Sequence, residues 1–292
     1  EARTEGREIR PQMAGRPTGV LHGLQSNFHA FVGHPTYASQ LAGLAHDELV
    51  ARMLDPAVKA QILSEKSLIN TGIMSDMEKI LSIVFPLGEK PNYEPEYKDS
   101  IVGIAESKGM SPMEVMYDLL VADNGKELFY QPLGSYENYN LDAHVKTMQH
   151  PNIVMGLSDG GAHCGVIADA GMPSFIMTHW GRDRKSGTQL ELEFIVKSLT
   201  RTTAEAYGML DRGLLKPGFI ADINIIDFGA LQLHRPEAIF DLPAGGKRLV
   251  QRVDGYEATV KSGKVTFRKG EHTGALPGKL VRRQKIDRSI AA

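Results

Sequence analysis

Ser158, Asp159 and His163 stand within the short run 158–163, set among Gly156, Gly160, Gly161 and Gly165. A carboxylate in that setting can take a proton from an attacking water and return it to a leaving nitrogen, which is general acid–base chemistry. The glycines beside it let backbone and substrate come close. Asp159 followed by glycine equally suits an Asx turn, which closes a loop without doing chemistry. A second chemical reading takes Gly156-Leu157-Ser158-Asp159-Gly160 as the G-x-S-x-G nucleophile elbow, with Ser158 attacking. That elbow must lead straight into a helix, and the glycine-rich run after Gly160 lacks helical periodicity. His163 is placed to orient Asp159 or to touch substrate, and a bond to a backbone carbonyl would satisfy it as well. Arg182 and Arg184 in HWGRDR carry forks that match a carboxylate, or they belong to a solvated loop. Cys164 reads as a small buried side chain. His22, His29 and His34 follow no recognised ligand spacing and read as surface or loop-packing residues. No His-x-His, HExxH, Cys-x-x-Cys, Walker A loop or G-x-G-x-x-G occurs in the chain.

The elements that must position this cluster can be read from periodicity. Ile153-Val154-Met155 is a short apolar run between Pro151 and Gly156, the pattern of a buried parallel strand. The carboxyl ends of such strands are where α/β folds place their chemistry. The run RPTGVLHGLQ predicts a strand about Val20-Leu21, and Ile80 to Phe85 predicts another. Apolar spacing from Ala38 to Ser64 predicts two helices, the second restarting at Pro56. Further helices are expected over Asp99–Lys108, from Ser111-Pro112 to about Ala122 with Glu114 completing a capping box, over Leu141–His150 and over Gln189–Thr200. Thr202-Thr203 reads as the cap of one more, and Lys126–Tyr130 as a strand. The segment from Gly165 to Gly187 reads as a long irregular loop, suited to a site. After Gly208 the signals become Gly/Pro turns between short alternating runs, with a hairpin about Ser262-Gly263. The expected division is residues 1–208 as an α/β part and residues 209–292 as a small β domain with a basic tail.

The balance of the 292-residue chain excludes some classes of function. A formal net charge of -2 speaks against nucleic acid as the main partner. The one cysteine rules out an internal disulfide and fits a reducing, cytoplasmic setting. No signal peptide or membrane-spanning run is visible, so no membrane partner is expected. Glu1 opens the chain in EARTEGREIR, which reads as a helix already under way.

Five stretches together resemble one family. PNIVMGLSDGGAH, HWGRDR, LTRTTAEAYGMLDRGLLKPGFIADINIID, DLPAGGKRLVQRVDGY and GEHTGALPGKLVRR look like the C-terminal half of the N-acyl-D-amino-acid deacylases, metal-dependent amidohydrolases. RPTGVLHGLQ and GHPTY share the likeness. The resemblance implies a (β/α)8 barrel joined to a small β-sandwich, a Zn2+ cofactor and hydrolysis of the amide of an N-acyl-D-amino acid. It implies that Asp159, matching the aspartate at the end of the last barrel strand, is the proton shuttle. Arg182 and His163 are then candidate substrate contacts. A closed barrel takes about 250 residues, more than precede the β domain here. The expected fold is therefore a partial (β/α)8 TIM barrel, its C-terminal strands, followed by a small β-sandwich portion. The family's zinc ligands find no counterparts in this chain, so the metal set expected from it is none. A chain with one catalytic group and no metal cage would be inactive by itself.

Overall fold

The computed structural model describes residues 5, 9–69, 77–158, 160, 161 and 163–282. β1 (Gln12–Ala14) turns at Gly15–Pro17 into β2 (Thr18–His22), whose last four residues are all buried. A loop carrying His29 and His34 leads through a π-helical turn, Tyr37–Leu41, to α1 (His46–Met53) and α2 (Pro56–Ser64). The restart at Pro56 is as expected: Asp55 caps the helix by accepting the Ala57 N–H, and proline fills the first helical position.

Helical structure replaces most of the strand expected over Ile80–Phe85. α3 (Met77–Ile80) continues into a 3-10 turn, Leu81–Ile83, and only β3 (Phe85–Pro86) pairs with a neighbour. Leu81 and Val84 are both fully buried, and residues three apart share one side of a helical turn. A short apolar run does not distinguish that from a strand. α4 (Ile101–Lys108) starts at Ser100, whose hydroxyl accepts the Gly103 N–H, and stops at Gly109 in the left-handed conformation. Ser111 caps α5 (Pro112–Gly125) through the Glu114 N–H, and that segment leaves helical geometry at Ala122–Asn124. β4 (Phe129–Leu133), α6 (Asp142–Met148) and β5 (Val154–Leu157) follow.

The segment expected to be an irregular loop, Gly165 to Gly187, is largely helical. A 3-10 turn, Asp169–Gly171, leads into α7 (Met172–Phe175) and a π-helical stretch, Ile176–Asp183. Met172, Phe175, Ile176 and Trp180 recur at helical spacing and are all buried. The glycines at the ends concealed that stripe. α8 (Leu192–Lys197) likewise runs through a π-helical Ser198–Thr202 into α9 (Thr203–Ala206) without a break. The expected cap at Thr202-Thr203 is absent because Thr202 is itself helical; the Thr203 hydroxyl donates back to the Leu199 carbonyl.

The remainder is β6 (Ile223–Ile226), β7 (Gln232–Leu233), β8 (Glu237–Leu242), β9 (Gly246–Val250), β10 (Val253–Asp254), β11 (Tyr256–Lys261), β12 (Lys264–Arg268) and β13 (Glu271–His272). The hairpin turns at Ser262-Gly263, both with positive φ, as a two-residue loop requires. β13, β12, β11 and β6 form one antiparallel sheet; β8 pairs with β9 and β10 with β7.

Strand–helix alternation led to the expectation of parallel pairing. Among the described residues only β1 and β5 pair in parallel, with Gln12 opposite Val154; β2, β4 and β3 form an antiparallel sheet. Among the described residues the sheets are small and none closes into a barrel. Two apolar clusters hold the helices and strands. One gathers Leu21, Tyr130, Met155 and Trp180 with Leu231 and Leu249. The other packs α1, α2, α4 and α5 about Phe31, Met53, Leu81 and Met116. No helix among the described residues is long and apolar enough to cross a membrane.

Gly19, in the middle of β2, tests this packing. A Cβ there would lie 2.3 Å from Tyr130 Cε2. Tyr130 is fully buried and its hydroxyl donates to the Pro17 carbonyl, so the ring has nowhere to go. Gly19→Ala is expected to cost about 1–3 kcal/mol of overpacking strain, read as a lower urea midpoint. An unchanged midpoint would mean that the Tyr130 contact yields freely.

Candidate site at the end of strand β5

β5 buries Val154 and Met155, takes φ 134° at Gly156 inside the strand, and ends at Leu157. Asp159 and Ala162 fall outside the described residues, so the site is described through their neighbours. Ser158 is half-buried. No helix follows Gly160 directly among the described residues; turns do, and helical structure begins at Asp169. No hydrogen bond joins Ser158 to a histidine there either, so neither requirement of a nucleophile elbow is met among the described residues. His163 is exposed in the left-handed region, φ 50°, and its carbonyl accepts the N–H groups of Val166 and Ile167. These bonds close a turn over residues 163–167.

Residues 164–169 then run into the core and pin the loop to β2 and to the later strands. The Cys164 carbonyl accepts the Leu249 N–H at 2.7 Å, the Gly165 carbonyl accepts from Asn27 N–H and the Ser26 hydroxyl, and the Val166 carbonyl accepts the Leu21 N–H. Cys164 itself is half-buried rather than core. The strongest tie is ionic. Asp169 Oδ1 lies 2.7 Å from Arg16 Nη2, with both side chains almost wholly buried. Asp169 Oδ2 accepts the Gly19 N–H at 3.1 Å. The Arg16 guanidinium stacks over the Tyr93 ring, 3.9 Å from its centroid, which a planar cation does well.

A second network stands on the π-helical stretch. Arg184 makes a two-toothed contact with Glu94, Nε to Oε2 at 2.9 Å and Nη2 to Oε1 at 2.7 Å. His179 Nε2 reaches the same carboxylate at 3.0 Å. Burial by itself would raise the Glu94 carboxyl; the hydrogen bonds from Arg184 and His179 outweigh it and hold it down at about 2. Arg182, the sequence candidate for a substrate carboxylate, has its five N–H groups committed within the chain. They go to both oxygens of Asp183 and to the carbonyls of Phe228, Gly229 and Leu231. Arg182 is thus not brought together with His163 by any contact, and it fastens the 228–231 loop.

Sequence reasoning missed Arg16, Asp169, Tyr93 and Glu94. The available signal for the first was an arginine wedged between Gly15 and Pro17 beside an apolar strand. His22, His29 and His34, read as surface or loop-packing residues, are not at the surface: they are buried at 0%, 2% and 5% exposure, His22 at the end of β2 and the other two on the loop after it.

Zinc requires three or four convergent His, Cys, Asp or Glu donors. Among the described residues no group of three or more could hold a metal ion. His22, His29 and His34 each leave one ring nitrogen without a hydrogen-bond partner, but they do not converge as a ligand set. The described residues therefore do not fit the group that the resemblance implies.

Comparison with solved structures finds a D-aminoacylase mutant in complex with copper chloride, 19% identical, covering 68% of this chain and 38% of that one at a TM-score of 0.38. It also finds a D-aminoacylase described as defining a novel subset of amidohydrolases, and another in a study of its binuclear metal centre. Each of these two is 20% identical, covering 66% of this chain and 36% of the other at a TM-score of 0.35. The chain thus spans well under half the length of the structures it matches. Curated proteins yield no match. The model of the amidohydrolase family matches residues 99–267, which include β5, its loop and the Asp169 anchor. With more than half of its length so matched, the chain belongs to the amidohydrolase family.

Proposed function

We propose that this chain supplies the proton-transfer part of an amide hydrolase acting on N-acyl-D-amino acids, with Asp159 as the shuttle. The observation that supports it is the family match over 99–267, which takes in the loop after β5. Asp159 takes a proton from the attacking water and delivers it to the departing nitrogen, so that the amine leaves neutral. The anchored segment 164–169 keeps that loop at the end of β5, and the exposed His163 lies on the same loop, within reach of a substrate. A carboxylate could reach Arg182 only by displacing Asp183, so the contribution of Arg182 is to hold the 228–231 wall in place.

The wider reading has β1 and β5 as parallel strands of a partial barrel, with a small β domain beginning after residue 208. Zinc is the metal that the family likeness points to, and it would lower the pKa of a bound water. Its ligands are not among the described residues, so no step is assigned to it here.

The test is hydrolysis of N-acetyl-D-leucine by the active protein, followed by amine release. Asp159→Asn is expected to lose about a hundredfold or more of kcat with the thermal midpoint unchanged. Ser158→Ala is expected to keep its activity. The reverse pattern, a silent Asp159→Asn and a dead Ser158→Ala, would transfer the chemistry to a serine nucleophile.

A further inference from the structure

A cleft of about 250 Å3 opens where the Ile176–Asp183 stretch meets the 90–93 loop and β7. None of its described lining residues belongs to 151–164. The geometry points to an accessory binding site here for a small carboxylate with an apolar body.

Most of the charged groups at the cleft are already engaged within the chain. Asp183 has both oxygens engaged by Arg182, at 2.6 and 2.9 Å. Glu94, behind the lining residue His179, has both oxygens engaged by Arg184, with His179 on one of them. The acidic groups at the cleft are therefore neutralised by arginines of the chain itself. Asn92 Oδ1 accepts the Glu94 N–H at 3.0 Å, which leaves its amide hydrogens as the unused half. Lys90 is exposed and makes no ion pair or hydrogen bond among the described residues, and the Gln232 side chain makes none either. The unspent polarity includes one cation, the Asn92 amide donors and the whole Gln232 amide, and the only unspent charge among the described lining residues is positive, which suits an anion. Beside it the walls are apolar: Tyr93, Phe175 and Leu233. A carboxylate at the Lys90 end with a hydrocarbon body against Leu233 uses both halves, and neither half alone selects a ligand.

Benzoate is the probe, titrated calorimetrically against the whole chain, with benzyl alcohol and acetate as the two half-ligands. Benzoate is expected to saturate at one equivalent, and each half-ligand to bind about tenfold weaker or worse. Lys90→Met is expected to weaken benzoate about fivefold, the loss of one solvent-exposed charge pair. Leu233→Asp, which places a negative charge on the apolar wall, is expected to abolish saturation. Lys90 and Leu233 lie outside the apolar clusters' buried centres, and circular dichroism confirms that the variants fold. Absence of saturable benzoate binding, equal affinity for benzyl alcohol, or an unchanged affinity in both variants would each overturn the assignment.

Discussion

Asp169→Ala is expected to destabilise the protein by about 3–5 kcal/mol, because it strands a buried guanidinium. Arg16 and Asp169 are 1% and 3% exposed, and their 2.7 Å contact is the ionic partner that the structure gives Arg16. Arg16 also donates from Nη1 to the neighbouring Pro17 carbonyl and lies against the rings of Tyr93, Phe175 and Tyr130; its Nε has no partner. Removing the carboxylate also orphans the Gly19 N–H in the middle of β2. Desolvation of an unpaired ion costs more than the pair contributes, so the double variant Arg16→Met with Asp169→Leu is expected to recover most of the loss. A double-mutant cycle by urea unfolding separates these terms. If Asp169→Ala cost under 1 kcal/mol, water would have to reach Arg16, and the picture of a dry anchor under the site loop would be wrong.

That anchor shows what the chain revealed beforehand and what it concealed. Strand β5 and its polar loop were legible because Pro151 and three glycines bracket an apolar run, and turn chemistry is local. Pro56 as a helix start, Ser100 and Ser111 as caps, and the Ser262-Gly263 hairpin were readable for the same reason. The register of the strands was not: β2 and β4 lie antiparallel with Leu21 opposite Tyr130, more than a hundred residues on. Nothing local distinguishes that from the parallel arrangement. The helical stretch after Asp169 was hidden by its glycines, although Met172, Phe175, Ile176 and Trp180 already had helical spacing. The buried charges are the hardest case. Arg16, Asp169, Glu94 and Arg184 look like solvated residues until their partners, 42 residues away or further, are brought against them.

The division of labour between the two networks follows from where they sit. Arg16–Asp169 fastens the end of the site loop to β2, while Glu94–Arg184 fastens the 90–94 loop to the Ile176–Asp183 stretch. The first therefore bears on the segment 164–169 and, through Arg16 stacked on Tyr93, also on one wall of the cleft; the second bears on the shape of the cleft beside Lys90. Damage to Glu94–Arg184 should leave the hydrolysis readout largely intact, whereas damage to Arg16–Asp169 reaches the cleft through Tyr93.

Acid is expected to unfold this protein earlier than its carboxylates would dictate, by way of the buried histidines. Burial pushes His22 down to about 4, against a weaker opposing bond to Gln131, and pushes His29 down to about 3, helped by His22, His34 and Lys247. The hydrogen bonds fix the tautomers. His29 Nδ1 accepts the Phe31 N–H, so its proton sits on Nε2 and a second proton must break that bond. His22 Nε2 faces Gln131 Oε1 at 2.7 Å, so it donates and leaves Nδ1 bare. Both folded values lie below the ordinary 6.5, so the unfolded chain binds more protons below that pH. Stability is then fully present above pH about 6.5 and falls as the pH drops toward about 4, with a slope of up to about 1.4 kcal/mol per pH unit per histidine. Over that window His22 alone accounts for about 3 kcal/mol. Glu94, held at about 2, contributes its own loss only below its ordinary 4.5, so above that pH the slope belongs to the histidines without it. Urea unfolding at pH 7, 6, 5 and 4 gives the slope, and His29→Gln is expected to remove close to one proton from it. A flat stability between pH 7 and 5 would mean that His22 and His29 are hydrated, which the burial of both rings contradicts.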